Sequence, residues 1–438
     1  MNIDVVVEQS GNEKKAVMNI QGEASSEIYL DFKNLEVLGT YPQNEISDLF
    51  LIGAAVYSLD RRILRKNATD AWTRIININI SVSDTEKWYA VKSDLERCLN
   101  FLSGDKWSFS FFPLANNSSL EFETVSNVSE YGAVSLFSGG LDSLVGVINF
   151  LEDNPKQKLI LVGHHDPHMP GPKTDQQRIL NIIKKAYPER TFPFFVGVGT
   201  EHALETTLRS RSFLFITMGV FASCFLKEER TLMIPENGTI ALNIPLTPSR
   251  RGTCSTRTAH PYYLQLFQRI LDKLGIQTHL LNPLQMMTKG EVVELCRNPE
   301  LLKHTAPISV SCGKRGHVVH WKRRDASECG KCMPCIYRRA ALHKIGLDTE
   351  IYGNDICNGE VDPTKNNKGS NDFRAILAFI KKDYTSDAIA AKLACNSRLE
   401  YEKLSEYANM IVRTREEVKK LLKDKAIDSI KQFSGVDN

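Results

Sequence analysis

No run of apolar residues in this chain of 438 approaches the length a helix needs to cross a bilayer, roughly 20 residues, so a membrane-spanning class is not expected. A strong charge bias is also missing. Lys and Arg number 55 against 52 Asp and Glu, and the formal net charge of +3 is too mild for a footprint that holds duplex nucleic acid. A small molecule or a protein is the expected partner. The N-terminus, Met1-Asn2-Ile3-Asp4-Val5-Val6-Val7-Glu8, carries neither a basic leader nor a cleavage site, which predicts a cytoplasmic location. No internal repeat of about 20 to 50 residues is visible, so a solenoid or propeller is not expected. What is present is ordinary for a globular protein of two or three domains: 42% hydrophobic and 24% charged residues. Ten cysteines in a cytosolic chain of this length point to free core thiols plus a metal site, not to disulfides.

Three segments differ in pattern. Residues 1–130 read as a separate α+β unit, with strand-like runs at 5–7, 28–30 and 75–82, and helices at 45–63 and 91–102. The strict alternation Ile76-Asn77-Ile78-Asn79-Ile80-Ser81-Val82 predicts a strand with one wet face. A polar stretch from Asn116 to Glu130, with a short strand near 120–124, marks the join. From 131 to 347 strands at 133–137, 159–163, 193–198 and 232–235 alternate with helices at 143–151, 176–185 and 203–226. That alternation predicts an α/β fold, a parallel sheet with helices on both faces. From 348 to 438 a loop rich in Asn leads into helices at 372–381, 386–394 and 398–432. The basic run from Lys419 to Lys425 reads as a solvated helix face.

Within the middle segment the apolar strand ending at Phe137 runs straight into Ser138-Gly139-Gly140-Leu141-Asp142-Ser143 and then a helix, the signature of a PP-loop. Glycines let backbone approach a phosphate, the serines offer hydroxyls, and the helix points its positive end at the anion. Asp142 suits either a Mg²⁺ ion held beside a polyphosphate or a helix cap. In sheets of this kind the ligand sits at the carboxyl ends of the strands, where this loop lies.

Cys329-Gly330-Lys331-Cys332-Met333-Pro334-Cys335 places three thiols at C-x2-C-x2-C spacing, with Cys312 upstream. Four thiolates make a closed tetrahedral zinc site with a structural role, ordering the loop 312–335. His317 or His320 is the alternative to Cys312 as fourth ligand. An iron-sulfur ferredoxin pattern needs a further Cys soon after the third, and Arg339 stands there.

Ser138 to Ser143, Arg211-Ser212-Phe213-Leu214-Phe215, Thr288-Lys289-Gly290-Glu291-Val292-Val293 and the Cys312 to Cys335 cluster, in this order, resemble the QueC family of PP-loop (adenine nucleotide alpha hydrolase-like) ATP pyrophosphatases. Members of that family activate 7-carboxy-7-deazaguanine as an adenylate and carry it through an amide to the nitrile. The resemblance covers residues 131–347. The added N- and C-terminal segments, the stretch Pro235 to Leu246 and Ser255 to Pro261 resemble instead the longer QueC-like proteins of bacterial antiphage systems, QatC among them. They depart from the Tyr-Pro-Asp-Cys-Arg segment of the housekeeping enzymes.

The resemblance implies ATP, Mg²⁺ and Zn²⁺ as cofactors and a 7-deazaguanine carboxylic acid as substrate. It also implies an amine acceptor, the N-terminal glycine of a partner protein in the same defence operon, with free-standing nitrile synthesis from ammonia as the alternative. It assigns Ser138, Gly139, Gly140, Leu141, Asp142 and Ser143 to ATP, with His164 beside the adenine. Contiguous His164 and His165 point in different directions, so this stretch up to His168 is not read as a metal site.

Arg211 fits either a phosphate or carboxylate contact or a plain surface position, and Lys289 either a phosphate contact or a solvated lysine. Asp142, Ser143, Arg211 and Lys289 are the catalytic candidates. Glu236 and Asn237 offer the acceptor and donor set that a guanine-like ring asks for, or form a simple turn before Gly238. Arg250, Arg251 and Arg257 suit an acidic substrate. His260, before a proline, is either a base or a helix cap. Partner docking or dimerisation is the expected role of the added segments, and direct nucleic-acid binding is not expected.

Overall fold

The computed structural model describes all residues except 1, 11–12, 22–24, 32–37, 39–43, 115–129, 168–171, 202, 206–208, 228–229, 248–256 and 437–438. The join expected near 116–130, Arg250 and Arg251, and His168 therefore lie outside the described residues, apart from Glu130 itself. By compactness the chain divides into two units. One comprises Met1–Ser138, Asn154–Ile234 and Thr256–Asn282, and the other Gly139–Asp153, Pro235–Ser255 and Pro283–Asn438.

The first unit is built on a mixed sheet of ten strands. In chain order these are β1 (Asn2–Ser10), β2 (Glu13–Ile20), β3 (Ser26–Leu30), β4 (Ile75–Val82), β5 (Lys106–Pro113), β6 (Ala133–Leu136), β7 (Leu159–His165), β8 (Thr191–Thr200), β9 (Arg230–Met233) and β10 (Thr278–Leu281). Across the sheet the order is β10-β9-β6-β7-β8-β3-β2-β1-β4-β5. The pairs from β10 to β8 are parallel, as are β1 with β4 and β4 with β5. Only β8 with β3, β3 with β2 and β2 with β1 are antiparallel. The strands before residue 131 thus share one sheet with those after it, through Ile28 to Leu30 paired with Val198 to Thr200.

β6 and β7 are buried at every position, as the apolar runs in their sequences require of central parallel strands. From Ile76 onward β4 alternates buried with half-buried residues, and on its wetter face Asn77 and Asn79 donate to Asn2 and Asp4 of β1 at 2.8 and 2.7 Å. Strand order reverses at β6, since β7 lies on one side and β9 on the other, a topological switch point in a parallel region.

The helix Glu45–Arg62 packs on the helix Arg211–Ser223, which covers β6, β7 and β9. Gly53 permits this approach: a Cβ there would stand 2.3 Å from Thr217 Oγ1. The helix expected over 91–102 starts earlier, at Thr85, because Asp84 caps it by accepting from the Lys87 N–H. The helix expected over 203–226 is shorter, Arg211–Ser223; Leu204 and Glu205 instead donate their N–H groups to the Arg61 carbonyl.

The start of that helix is fixed by a buried ionic cluster. Asp60 and Asp105 pair with Arg65 and Arg74 at 2.5 to 3.3 Å, and Asp60 Oδ2 accepts from Ser210 N–H and Oγ at 3.0 and 2.7 Å. Two carboxylates against two guanidinium groups balance charge, which makes such burial tolerable.

In the second unit the helix Met333–Lys344 packs against the helices Lys289–Glu294 and Leu404–Lys425, and the helix Ser386–Asn396 against Leu404–Lys425. Ile336, Phe373, Leu377, Leu421 and Leu422 form part of one core, and Ile389, Tyr407 and Ile411 part of another. The helix expected over 398–432 is broken at Ala426 and Ile427, both extended, and resumes as Asp428–Ser434.

Candidate functional site

After β6 the Phe137 N–H donates to the Val162 carbonyl at 2.7 Å, which carries the strand one residue further. Gly139 then adopts φ +81°, a left-handed conformation that favours glycine, and its carbonyl accepts from the Val310 N–H at 3.0 Å. The helix Leu141–Asp153 follows at once. Ser143 turns its hydroxyl back onto its own turn, donating to the Gly140 carbonyl at 3.0 Å, and Leu141 is buried. Ser138 is exposed.

Asp142, in the first turn of that helix, is gripped from two sides within the second unit. Lys289 Nζ lies 2.8 Å from Oδ1, and Asn237 Nδ2 donates to Oδ2 at 2.7 Å. Both partners come from capped turns. Asn237 caps the short helix Gly238–Leu242, its Oδ1 accepting from the Ile240 N–H at 3.1 Å. Gly238 is obligatory there, because a Cβ would stand 2.1 Å from the Gln285 carbonyl oxygen. Thr288 caps the helix Lys289–Glu294 through a full capping box with Glu291. The Lys289 side chain is only 4% exposed, against 12% for Asp142, so this is a desolvated ion pair and not a solvated lysine. A cation already faces Asp142 Oδ1 and an amide faces Oδ2. The arrangement therefore does not fit Asp142 as a ready Mg²⁺ ligand; it fits Asp142 as the anchor of Lys289. The asparagine expected to read a ring spends both ends of its amide on protein groups, and Glu236 beside it is half-buried.

In the first unit, His164 at the end of β7 is fixed as one tautomer. Its Nε2 lies 3.0 Å from the Val198 carbonyl, which only an N–H can satisfy, so Nδ1 accepts from Arg211 Nε at 3.2 Å. Arg211 also donates to the His164 carbonyl at 3.2 Å. Burial, reinforced by the Arg211 charge, pushes the His164 pKa well down, so the ring is neutral at physiological pH. Burial likewise lowers the Arg211 pKa, against the opposing pull of the nearby Tyr57 and Asp166, and the guanidinium spends two of its donors on His164.

Sequence reasoning missed Tyr57 here. Its ring meets His164 edge-on at 5.0 Å and its hydroxyl donates to Asp166 Oδ2 at 3.0 Å. Nothing in Ala54-Ala55-Val56-Tyr57, a buried helix face, signals that contact, although His164-His165-Asp166 in a row pointed to the strand end. Arg257 donates to the Phe101 carbonyl at 2.6 Å and stacks 4.2 Å over its ring. His260 is a helix cap: Nδ1 accepts from the Tyr262 N–H at 3.1 Å, and burial pushes its pKa down to about 3, which removes it as a base at neutral pH.

The four cysteines meet. The sulfurs of Cys312, Cys329, Cys332 and Cys335 all lie within 4.8 Å of one another, with 3.2 Å between Cys332 and Cys335 and 3.6 Å between Cys329 and Cys335. Four sulfurs held about 2.3 Å from one ion at tetrahedral corners stand about 3.8 Å apart, so the cluster can hold zinc with little adjustment. Backbone amides support the sulfurs. Lys314 and Cys329 N–H point at Cys312 Sγ at 3.3 and 3.4 Å, and Cys332 N–H at Cys329 Sγ at 3.3 Å.

Gly330, at φ +74°, makes the tight knuckle, with the Asn354 carbonyl only 2.2 Å from where a Cβ would be. His317 and His320 are exposed and outside the cluster. Arg339 pairs with Asp348 and Asp355 at 3.2 and 2.5 Å. Among the described residues no other group of three or more such side chains gathers, and no helix is long and apolar enough to cross a membrane.

Comparison with family models, with curated proteins and with solved structures finds no match for this chain.

Proposed function

We propose that the protein is an ATP-dependent ligase of the QueC-like PP-loop class, which adenylates a 7-deazaguanine carboxylate and passes the acyl group to an amine on a partner protein in antiphage defence. The observation that carries this reading is Asp142. It stands on the first turn of the helix that follows the glycine turn in the chain, and holds a buried lysine in place. A lysine held on the first turn after a glycine-rich loop suits a polyphosphate.

In the reaction, a substrate carboxylate oxygen attacks the α-phosphorus of ATP and pyrophosphate leaves. The amine nitrogen then attacks the acyl carbon, AMP departs, and the amine loses a proton to solvent. Lys289 and the backbone N–H groups of the Gly139 to Ser143 turn stabilise negative charge on the departing pyrophosphate, and Asp142 keeps Lys289 oriented. Arg211 receives the role of an anion contact. Mg²⁺ arrives with ATP, and no step is assigned to a metal at Asp142. The four cysteines would hold a structural zinc ion, which would order the loop 312–335.

The test is product analysis with 7-carboxy-7-deazaguanine and ATP, offered either ammonium or a peptide with an N-terminal glycine. An amide on the peptide, with AMP and pyrophosphate, is expected. Efficient nitrile formation from ammonium alone would replace the ligase by a free-standing 7-cyano-7-deazaguanine synthase, and no ATP consumption with either would remove both.

A further inference from the structure

The helix Leu404–Lys425 lies outside the segment that carries the QueC resemblance, yet one stripe of it reaches both turns that grip Asp142. Met410, Arg413, Thr414 and Glu417 follow each other at the i, i+3, i+4, i+7 spacing of a single helix face. Toward the Asn237 turn, the Met410 methyl fills the space beside Gly238, where a Cβ would stand 2.7 Å away. Thr414 Oγ1 shares a 2.6 Å hydrogen bond with Thr239 Oγ1.

Toward the Lys289 turn, Glu417 accepts from Thr288 Oγ1 at 2.5 Å and from the Gly290 N–H at 3.1 Å, the residues on either side of Lys289. Gly290 is needed for that approach, since a Cβ would lie 2.3 Å from Glu417 Oε1. Arg413 adds an ion pair to Glu291 at 2.5 Å and donates to the Met286 carbonyl at 3.2 Å, and Lys344 Nζ holds Glu417 from behind at 3.4 Å.

We infer that this face of the C-terminal helix is the clamp that holds Asn237 and Lys289 on Asp142, with Glu417 as a positioning residue for Lys289. Its catalytic consequence rests on the ligase reading above; the clamp itself does not. Besides the Met410 packing and the Arg413–Glu291 ion pair, the contacts go to hydroxyl and backbone amide groups of the two turns, and Glu417 spends one oxygen on Thr288 and the other on Gly290. The C-terminal extension is then part of the site's machinery.

The test uses full-length, zinc-bound protein as wild type, Glu417→Ala, Glu417→Gln and Thr414→Val. Amine labelling of Lys289 is followed by mass spectrometry against exposed Lys365 as reference. Lys289 is slow to label in the wild type, and Glu417→Ala speeds it about 10-fold or more, the scale of losing hydrogen bonds to a buried charged group. Glu417→Gln, which keeps one acceptor, lies between the two, and Thr414→Val leaves Lys289 slow. Unchanged Lys289 labelling in Glu417→Ala would overturn the clamp. ATP-pyrophosphate exchange is read in parallel: kcat falls in Glu417→Ala with KM for the acid retained, and an unaltered kcat despite faster labelling would overturn the positioning role. Absence of exchange in the wild type would count against the ligase reading alone, with the labelling still deciding the clamp.

Discussion

Replacing Lys289 by methionine removes the cation from Asp142 and preserves most of the side chain's volume. At an N–O separation of 2.8 Å, the pair's attraction is about 6 kcal/mol for an effective dielectric of about 20. Desolvating the two ions costs a similar amount, so the intact pair contributes little net stability. The asymmetry appears when one partner goes. Asp142 keeps only the Asn237 amide and becomes a nearly buried, uncompensated carboxylate, which costs about 3–5 kcal/mol. Asp142→Asn combined with Lys289→Met removes both charges and recovers most of that loss. Urea denaturation of the wild type, both single variants and the double variant measures this as a coupling energy, expected at about 2 kcal/mol or more. A Lys289→Met protein as stable as the wild type, or a double variant whose loss is the sum of the singles, would refute the pair as a desolvated unit.

Other outcomes follow from the same geometry. Gly139→Ala is strained at its φ of +81° by about 1–2 kcal/mol and weakens ATP binding in calorimetry; unimpaired binding would count against the loop as the phosphate site. His260, pushed down to about 3, stays neutral in the fold while the unfolded chain takes up a proton below about 6.5, so its contribution is complete above that pH and is lost as pH falls toward 3. At pH 4.5 the loss is about 3 kcal/mol, and His260→Asn, which keeps a capping oxygen, flattens the pH dependence of the urea midpoint; an unflattened profile would contradict this. Metal analysis gives about one zinc per chain, and Cys332→Ser or strong chelation releases it and exposes the loop 312–335 to protease; full zinc retention in Cys332→Ser would show that the ion sits elsewhere.

The loop after β6, the thiol cluster and the C-terminal helices were legible because each is local: a glycine turn, a knuckle and a 3.6-residue period declare themselves over a few residues. β2, β5 and β10 were not read. Glu13, Lys14 and Lys15 interrupt β2, β5 breaks its alternation at Phe112-Pro113, and β10 is only four residues long, Thr278–Leu281. The continuity of the sheet through β3 and β8 depends on pairing across about 170 residues, which no local pattern encodes. The same holds for the site. Asn237 and Lys289 each carried a stated alternative in the sequence, a turn and a solvated lysine, and only their meeting on Asp142 decides what they do. His260 shows the converse, since its cap role was one of two open readings and depends on a local bond to Tyr262.

The central claim, that a carboxylate is activated by transfer of AMP, is tested most directly with 7-carboxy-7-deazaguanine carrying ¹⁸O in its carboxylate. Incubation with the protein, ATP and an amine acceptor, followed by mass spectrometry of the nucleotide product, is predicted to give AMP bearing one ¹⁸O, because the attacking carboxylate oxygen leaves with the phosphate. Unlabelled AMP, or ADP with inorganic phosphate, would contradict it.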